Sequence, residues 1–310
     1  MIEHEYAVHI RYGRMSSMVP GLLAGHHTGR IHSLFCTSLN LQFGERLVHM
    51  GTEEHGLCCF GVTVGDREMK LILEACREDN LVIFKKNGLY LYGVGRLIVL
   101  ELEEFEVVDL TIPNILTHPD LQSRERPSST EKLQAEQLQT EQGKTASLME
   151  HSILYRELEL AADLLELGVE RNENFVTYSR ILAESKDLDE IEAAVRFFCG
   201  RGQGLTPGGD DILVGYGAVL QAFGKAEEFV RVLQRNSLKT TDVSSAYLTA
   251  MMEGFANEIF CDIILQILHE EVLKLRQLLC RMEKIGNTSG RDTIYGMYLG
   301  FRKIKEAYIV

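Results

Sequence analysis

The chain is 310 residues long, 45% hydrophobic and 25% charged, with a formal net charge of -13. That size supports two domains, or one large one, with ample core, and no run of about 18 apolar residues is present to cross a membrane. The acidity, uninterrupted by any Lys/Arg cluster, and the lack of tryptophan exclude a nucleic-acid partner, which would need a basic face. The N-terminal stretch MIEHEYAVHIRYGRM lacks the basic-then-apolar order of a secretory signal. The seven cysteines form no CxxC pair. These features predict a reduced, cytoplasmic protein with no structural disulfide.

In chain order, residues 1–117 read as a β-rich domain. IHSLFCTSLNLQF, LCCFGVTV, LVIFKKNGLYLYG and RLIVLELEEFEVVDL mix alternation with short apolar runs between Gly, Asn and Asp punctuation. Asn87-Gly88 predicts a two-residue hairpin, both central residues being able to take positive φ. In GLLAGHHTGRIHSLF, His26, His27 and His32 suggest zinc at first sight. A strand turns His27 and His32 to opposite faces, however, and tetrahedral sites space their ligands more regularly. A glycine turn entering a strand, with Arg30 available to an anion, is the better reading. Residues 118–145 are polar and Gln/Glu/Ser-rich, the composition of a linker or mobile loop.

Residues 146–310 read as an all-α domain, so the expected fold class is α+β. SILYRELELAADLLELG stops at Gly168 and LDEIEAAVRFFCG at Gly200, each with apolar residues at three-to-four spacing. TTDVSSAYLTAMMEGFANEIF and CDIILQILHEEVLKLRQLLCRMEKIG continue the helical pattern, and a last helix is expected from about Asp292 to Tyr308.

Two loops in this half are chemically dense. GQGLTPGGDDILVG and GNTSGRDTIYG share the pattern G-x-D-x-apolar-x-G: shifted by 81 positions, Gly209, Asp211, Leu213 and Gly215 fall on Gly290, Asp292, Ile294 and Gly296. Each opens a helix whose second glycine lets the backbone approach a neighbour, at about 1 kcal/mol against alanine. A helix N-terminus behind a Gly-rich loop attracts anions, whereas Asp210 and Asp211 repel them. Three arrangements reconcile these parts. One aspartate caps its helix while loop amides bind an anion; or the Asp210–Asp211 pair holds Mg²⁺; or a carboxylate accepts hydrogen bonds from a substrate N–H₂ group. The candidate catalytic residues are Asp210, Asp211 and Asp292. Gly204, Thr206, Gly208, Gly209, Thr288, Ser289, Gly290 and Arg291 are candidates for binding a small polar or anionic substrate, Arg291 through its planar donor fork. Ser245, at helical spacing from Thr249, is a secondary candidate. No Walker loop or dinucleotide fingerprint is present: Gly143-Lys144-Thr145 lacks the earlier glycine, and GRGQGL follows a helical pattern rather than a strand.

The run GLTPGGDD, the helix with Thr241, Ser245, Leu248, Ala250 and Gly254, and the late TSGRD loop together resemble the AllH-type subunit family of oxamate carbamoyltransferase. An earlier element, GRIHSLF followed by Asn40, is similar as well, and adds Ser33 and Asn40 to the secondary candidates with Arg30. Two positions depart from the family pattern: Gly208 stands where it has serine, and Asn287 where relatives often carry histidine. The resemblance implies carbamoyl chemistry in purine-derived nitrogen catabolism, oxalurate and phosphate exchanging with oxamate and carbamoyl phosphate. It also implies other subunits as partners. A non-catalytic metabolite-binding or partner subunit is the alternative reading.

Overall fold

The computed structural model describes residues 7–118, 152–236, 239–269 and 271–308. Its N-terminal part is one ten-stranded sheet built from β1 (Ala7–Ile10), β2 (Arg14–Ser16), β3 (Thr28–Leu34), β4 (Leu39–Phe43), β5 (Arg46–Thr52), β6 (Gly61–Val64), β7 (Leu81–Lys85), β8 (Gly88–Gly93), β9 (Arg96–Glu101) and β10 (Glu106–Val108). The spatial order is β1-β9-β8-β7-β3-β4-β5-β6-β2-β10. The pairs β1·β9, β5·β6 and β2·β10 are parallel and the others antiparallel. Side-chain alternation sends Leu39, Leu41 and Phe43 of β4, with Val48 and Met50 of β5, into one apolar core. Two helices contribute to that core: α1 (Val19–Leu23) through Val19 and Leu23, and α2 (Asp66–Ala75) through Met69, Ile72 and Ala75.

Two local expectations shift. The hairpin between β7 and β8 exists, but its central residues are Lys86 and Asn87, both at positive φ (49° and 57°), while Gly88 already pairs with Lys85. Helix α2 interrupts the strands because Met69, Ile72 and Ala75 recur at three-residue spacing and turn one stripe to the core.

The C-terminal part is helical: α3 (Ile153–Ala162), α4 (Glu173–Glu184), α5 (Leu188–Phe198), α6 (Gly208–Ala222), α7 (Glu227–Arg235), α8 (Asp242–Met252), α9 (Glu258–His269), α10 (Val272–Glu283) and α11 (Ser289–Tyr308). The fold class is therefore α+β. Helix α5 shows how these segments are specified. Asp187 caps it by accepting from the amides of Asp189 and Glu190, and Ile191, Ala194, Val195 and Phe198 form its buried stripe. Helix α3 ends at Ala162 rather than running to Gly168, the long apolar run after Asn257 divides into α9 and α10, and α11 starts three residues earlier than Asp292. Residues 119–145 of the polar segment lie outside the described residues. The chain forms two compact units, Met1–Leu110 with Phe255–Glu258, and Thr111–Gly254 with Ile259–Val310. Among the described residues no helix is long and apolar enough to cross a membrane, and no disulfide is formed.

Candidate functional site

Helices α6 and α11 carry the two Gly-Asp loops and cross at their glycines. A Cβ on Gly215 would lie 2.2 Å from the carbonyl oxygen of Thr293, and one on Gly296 would lie 2.1 Å from that of Ile212. Thr293 is three residues before Gly296, as Ile212 is before Gly215, so each helix presents to the other what it receives. This reciprocity is that of a local two-fold axis, and within each copy a glycine also packs against the helix before it, at different spacings. A Cβ on Gly209 would meet the Phe198 carbonyl at the end of α5, and one on Gly290 the Met282 carbonyl in α10. The 81-residue sequence match is thus a duplicated structural unit: a helix, a tight loop, and a second helix whose glycines permit backbone contact.

The three aspartates are buried, with Asp210 1%, Asp211 7% and Asp292 0% exposed, but their surroundings differ. Asp210 spends both oxygens on the protein. Oδ1 accepts from the Gly200 amide at 2.8 Å and Oδ2 accepts from the Thr240 hydroxyl. Gly200 has φ +67°, and there a Cβ would meet the Lys239 carbonyl at 2.6 Å, so only glycine brings that amide to Asp210. Burial, together with Asp210, pushes the neighbouring Cys199 thiol up to about 12. Because adjacent helical residues point about 100° apart, Asp211 faces elsewhere. Thr206 and Ser289, hydrogen-bonded to each other at 2.7 Å, lie against its carboxyl and favour the ionised form. Burial outweighs them, and with Asp292 and Asp210 nearby holds the Asp211 carboxyl well above its ordinary range. Its Oδ2 is buried without a hydrogen-bond partner.

Asp292 mirrors Asp211 on α11. Its Oδ1 accepts from the Gly168 amide at 2.9 Å, and its Oδ2 is likewise buried without a partner. That oxygen sits between two glycines, since a Cβ on Gly168 would be 2.8 Å from it and one on Gly208 2.7 Å. Burial raises the Asp292 carboxyl, opposed by the Gly168 amide, the Thr288 hydroxyl and the charge of Arg291. Arg291 donates through Nη2 to the Asn287 carbonyl at 2.8 Å, leaving a buried, unpartnered Nε. The equivalence is not perfect: Ser289 stands beside Asp211 at the position that Gly208 occupies beside Asp292.

Several loop amides are already engaged. Gly209 N donates to Arg201 O at 2.8 Å, Asp210 N and Asp211 N to Pro207 O at 2.8 and 3.3 Å, and Gly290 N to Ile285 O at 3.0 Å. Gly204 takes φ +88° in the loop, where Leu205 O accepts from the Thr241 hydroxyl. Ser245 is exposed on α8, whereas Ser244 is buried with an unpartnered hydroxyl. In the sheet unit, Arg30 pairs with Asp79 and Gln42 at the surface, and Ser33 is bonded to Asn40. In the sequence Gly168 and Gly200 read only as helix-ending glycines and Thr240 only as a hydroxyl at helical spacing from Ser244; their bonds to Asp292 and Asp210 are not foreseen. Gly168 and Thr240 lie 124 and 30 residues from the aspartates that they meet, and the helical patterns around them do not encode those contacts. Among the described residues no group of three or more His, Cys, Asp or Glu side chains comes together to hold a metal, and Asp210 offers no open oxygen for one.

The helical unit is thus a duplicated loop–helix arrangement around two buried, incompletely bonded carboxyls. Residues 198–301, about a third of the chain, carry an AllH domain: they match the family model described as oxamate carbamoyltransferase subunit AllH. The match begins at the end of α5 and contains both Gly-Asp loops. No solved structure matches the chain.

Proposed function

We propose that the paired loops are the metabolite site of a carbamoyltransferase-related subunit, and that Asp211 and Asp292 together hold the carbamoyl end of a small substrate. The observation that carries this reading is the pair of buried, unpartnered carboxyl oxygens on equivalent positions of α6 and α11. Each such oxygen costs about 1–3 kcal/mol unless a ligand meets it. Asp211, held well above its ordinary range, is a neutral acid that donates O–H. Asp292, which burial raises against the opposing Gly168 amide, Thr288 hydroxyl and Arg291 charge, accepts N–H through its unpartnered oxygen. A carbamoyl group offers one carbonyl acceptor and N–H donors on the same edge, which complements this pair. In the exchange of oxalurate and phosphate for oxamate and carbamoyl phosphate, a phosphate oxygen attacks the carbamoyl carbon and the bond to the oxamate nitrogen breaks. A protonated Asp211 is suited to deliver the proton which that nitrogen takes up. Arg291, through its unpartnered Nε, is suited to meet the phosphate or the carboxylate end.

The family description is that of a subunit, which favours chemistry shared with companion chains. Thermal unfolding of the purified full chain with oxamate, oxalurate or carbamoyl phosphate tests the site. The expected result is a raised Tm that disappears in Asp292→Asn. A response seen only when companion subunits are mixed in supports the partner-subunit reading. No response to any of the three compounds, alone or mixed, overturns the assignment.

A further inference from the structure

The loop before α6 touches the surroundings of both Asp211 and Asp292. Its base is fixed at Arg201, which donates from its amide to Phe198 O at 2.9 Å and from Nε to Phe197 O at 2.8 Å, and whose carbonyl accepts the Gly209 amide. At the other end the Pro207 carbonyl accepts from the amides of Asp210 and Asp211. Between these anchors residues 202–205 are exposed and Thr206 is half-buried. Two hydroxyl bonds to other helices tie this stretch down. Thr241, which caps α8 by accepting from the Ser244 amide at 3.1 Å, donates to the Leu205 carbonyl. Thr206 bonds Ser289, the first residue of α11, at 2.7 Å.

The same stretch reaches each carboxyl in a different way. Thr206 lies against Asp211. Gly202 lies against the two glycines that flank Asp292 Oδ2, since a Cβ there would be 2.7 Å from the Gly208 nitrogen and 3.3 Å from the Gly168 carbonyl oxygen. Its φ of +126° is one that glycine alone takes readily. Asp211 Oδ2 and Asp292 Oδ2 are both buried, so a ligand meets them only after some element has moved. Helices α6 and α11 touch backbone to backbone at Gly215 and Gly296 and part only at the cost of that packing. Residues 202–206 are held by side-chain hydroxyls instead. The Thr206–Ser289 bond also has a substitute at hand, because both hydroxyls lie against the Asp211 carboxyl and either can turn to it once they separate.

We propose that residues 202–206 are a lid over Asp211 and Asp292, latched by the Thr206–Ser289 hydrogen bond and opened to admit the ligand. The lid rests on the reading of those carboxyls as the metabolite site, but its opening is measured without a metabolite. A water-soluble carbodiimide with glycinamide couples to accessible carboxyls of the full chain, and mass spectrometry of the peptides follows each residue. In the wild type Asp211 and Asp292 should react slowly beside the exposed Asp66. Thr206→Val should speed both several-fold to about tenfold, the loss of one hydrogen bond, and leave Asp66 unchanged. Thr206→Ser keeps the hydroxyl and should match the wild type. Ser289→Ala breaks the same bond from α11 and carries the test should Thr206→Val not fold. Equal rates in Thr206→Val and Thr206→Ser, or a rise at Asp211 with none at Asp292, overturns the lid. The two readings fail separately: a rise at both carboxyls supports the lid even where oxamate, oxalurate and carbamoyl phosphate do not bind, and binding without that rise overturns it.

Discussion

Gly296→Ala measures how far the α6–α11 contact governs the helical unit. On an exposed helix this change stabilises by about 1 kcal/mol, because glycine is the poorer helix former. Here the new methyl would sit 2.1 Å from the Ile212 carbonyl oxygen, 2.8 Å from its carbon and 3.0 Å from its Cα. All three atoms are backbone, so no side chain can swing aside. Contact distances near 3.5 Å require the helices to part by on the order of 1 Å. Overpacking of that kind costs about 1–3 kcal/mol, and more where rigid elements must move. We expect a net loss of about 2 kcal/mol, which lowers Tm by roughly 4–8 °C for a unit of this size. Thermal unfolding followed by circular dichroism is the assay, with Gly21→Ala as the control, since nothing lies within 4 Å of a Cβ there. Gly215→Ala should behave like Gly296→Ala, and the double variant should lose less than the sum, because one displacement accommodates both methyls. A Tm for Gly296→Ala at or above wild type would refute the crossing.

Other outcomes follow from the same contacts. Gly208→Ala should destabilise, its methyl crowding Asp292 Oδ2 at 2.7 Å, while Gly208→Ser should recover about 1 kcal/mol by bonding that oxygen; equal unfolding curves for the two variants would show that the serine hydroxyl does not reach Asp292. Asp211 has a folded-state pKa above its ordinary 3.8, so its contribution to stability is present below that value and lost as pH rises through the folded pKa. Asp211→Asn should therefore raise Tm at neutral pH, with the gain fading as pH falls towards 3.8; a gain independent of pH would contradict this. Cys36 and Cys280 are exposed and Cys58, Cys59, Cys76 and Cys261 buried, with Cys76 pushed up to about 11 and Cys199 to about 12. A thiol reagent should titrate two sites quickly in the native protein and all seven only after denaturation.

The duplicated loop was legible because its spacing is local. Glycine, aspartate and an apolar residue recur within seven positions, and two copies at a fixed shift leave little else for them to be. What separates Asp210 from Asp211 was not legible. Adjacent letters of the same kind acquire different roles from Gly200, Thr206, Thr240 and Ser289, the last two of which belong to segments that only tertiary packing brings to the loop. Ser33 and Asn40 stand out through the family resemblance, but their bond to each other and the approach of His49 to Asn40 were not legible, because residues 33, 40 and 49 become neighbours through strand register, which spacing along the chain does not encode. Lys86 and Asn87 make a smaller point. The turn type was readable, but its position by one residue was decided by which pair of flanking residues closes the ladder.

The two-fold relation between the loops has a consequence for where a proton resides. Two carboxyls in equivalent settings have equal claim on it, and a shared proton with no preferred owner gives no direction to its transfer. Shifted by the same 81 positions, the residue preceding Asp211 is Asp210 and the residue preceding Asp292 is Arg291. Burial raises both carboxyls; the charge of Asp210 adds to that at Asp211, whereas the charge of Arg291 opposes it at Asp292. A reversal of charge at this duplicated position thus adds to the difference that burial and hydrogen bonding make between the two carboxyls. Removing the positive neighbour alone, in Arg291→Ala, should move the Asp292 carboxyl further up and narrow its difference from Asp211.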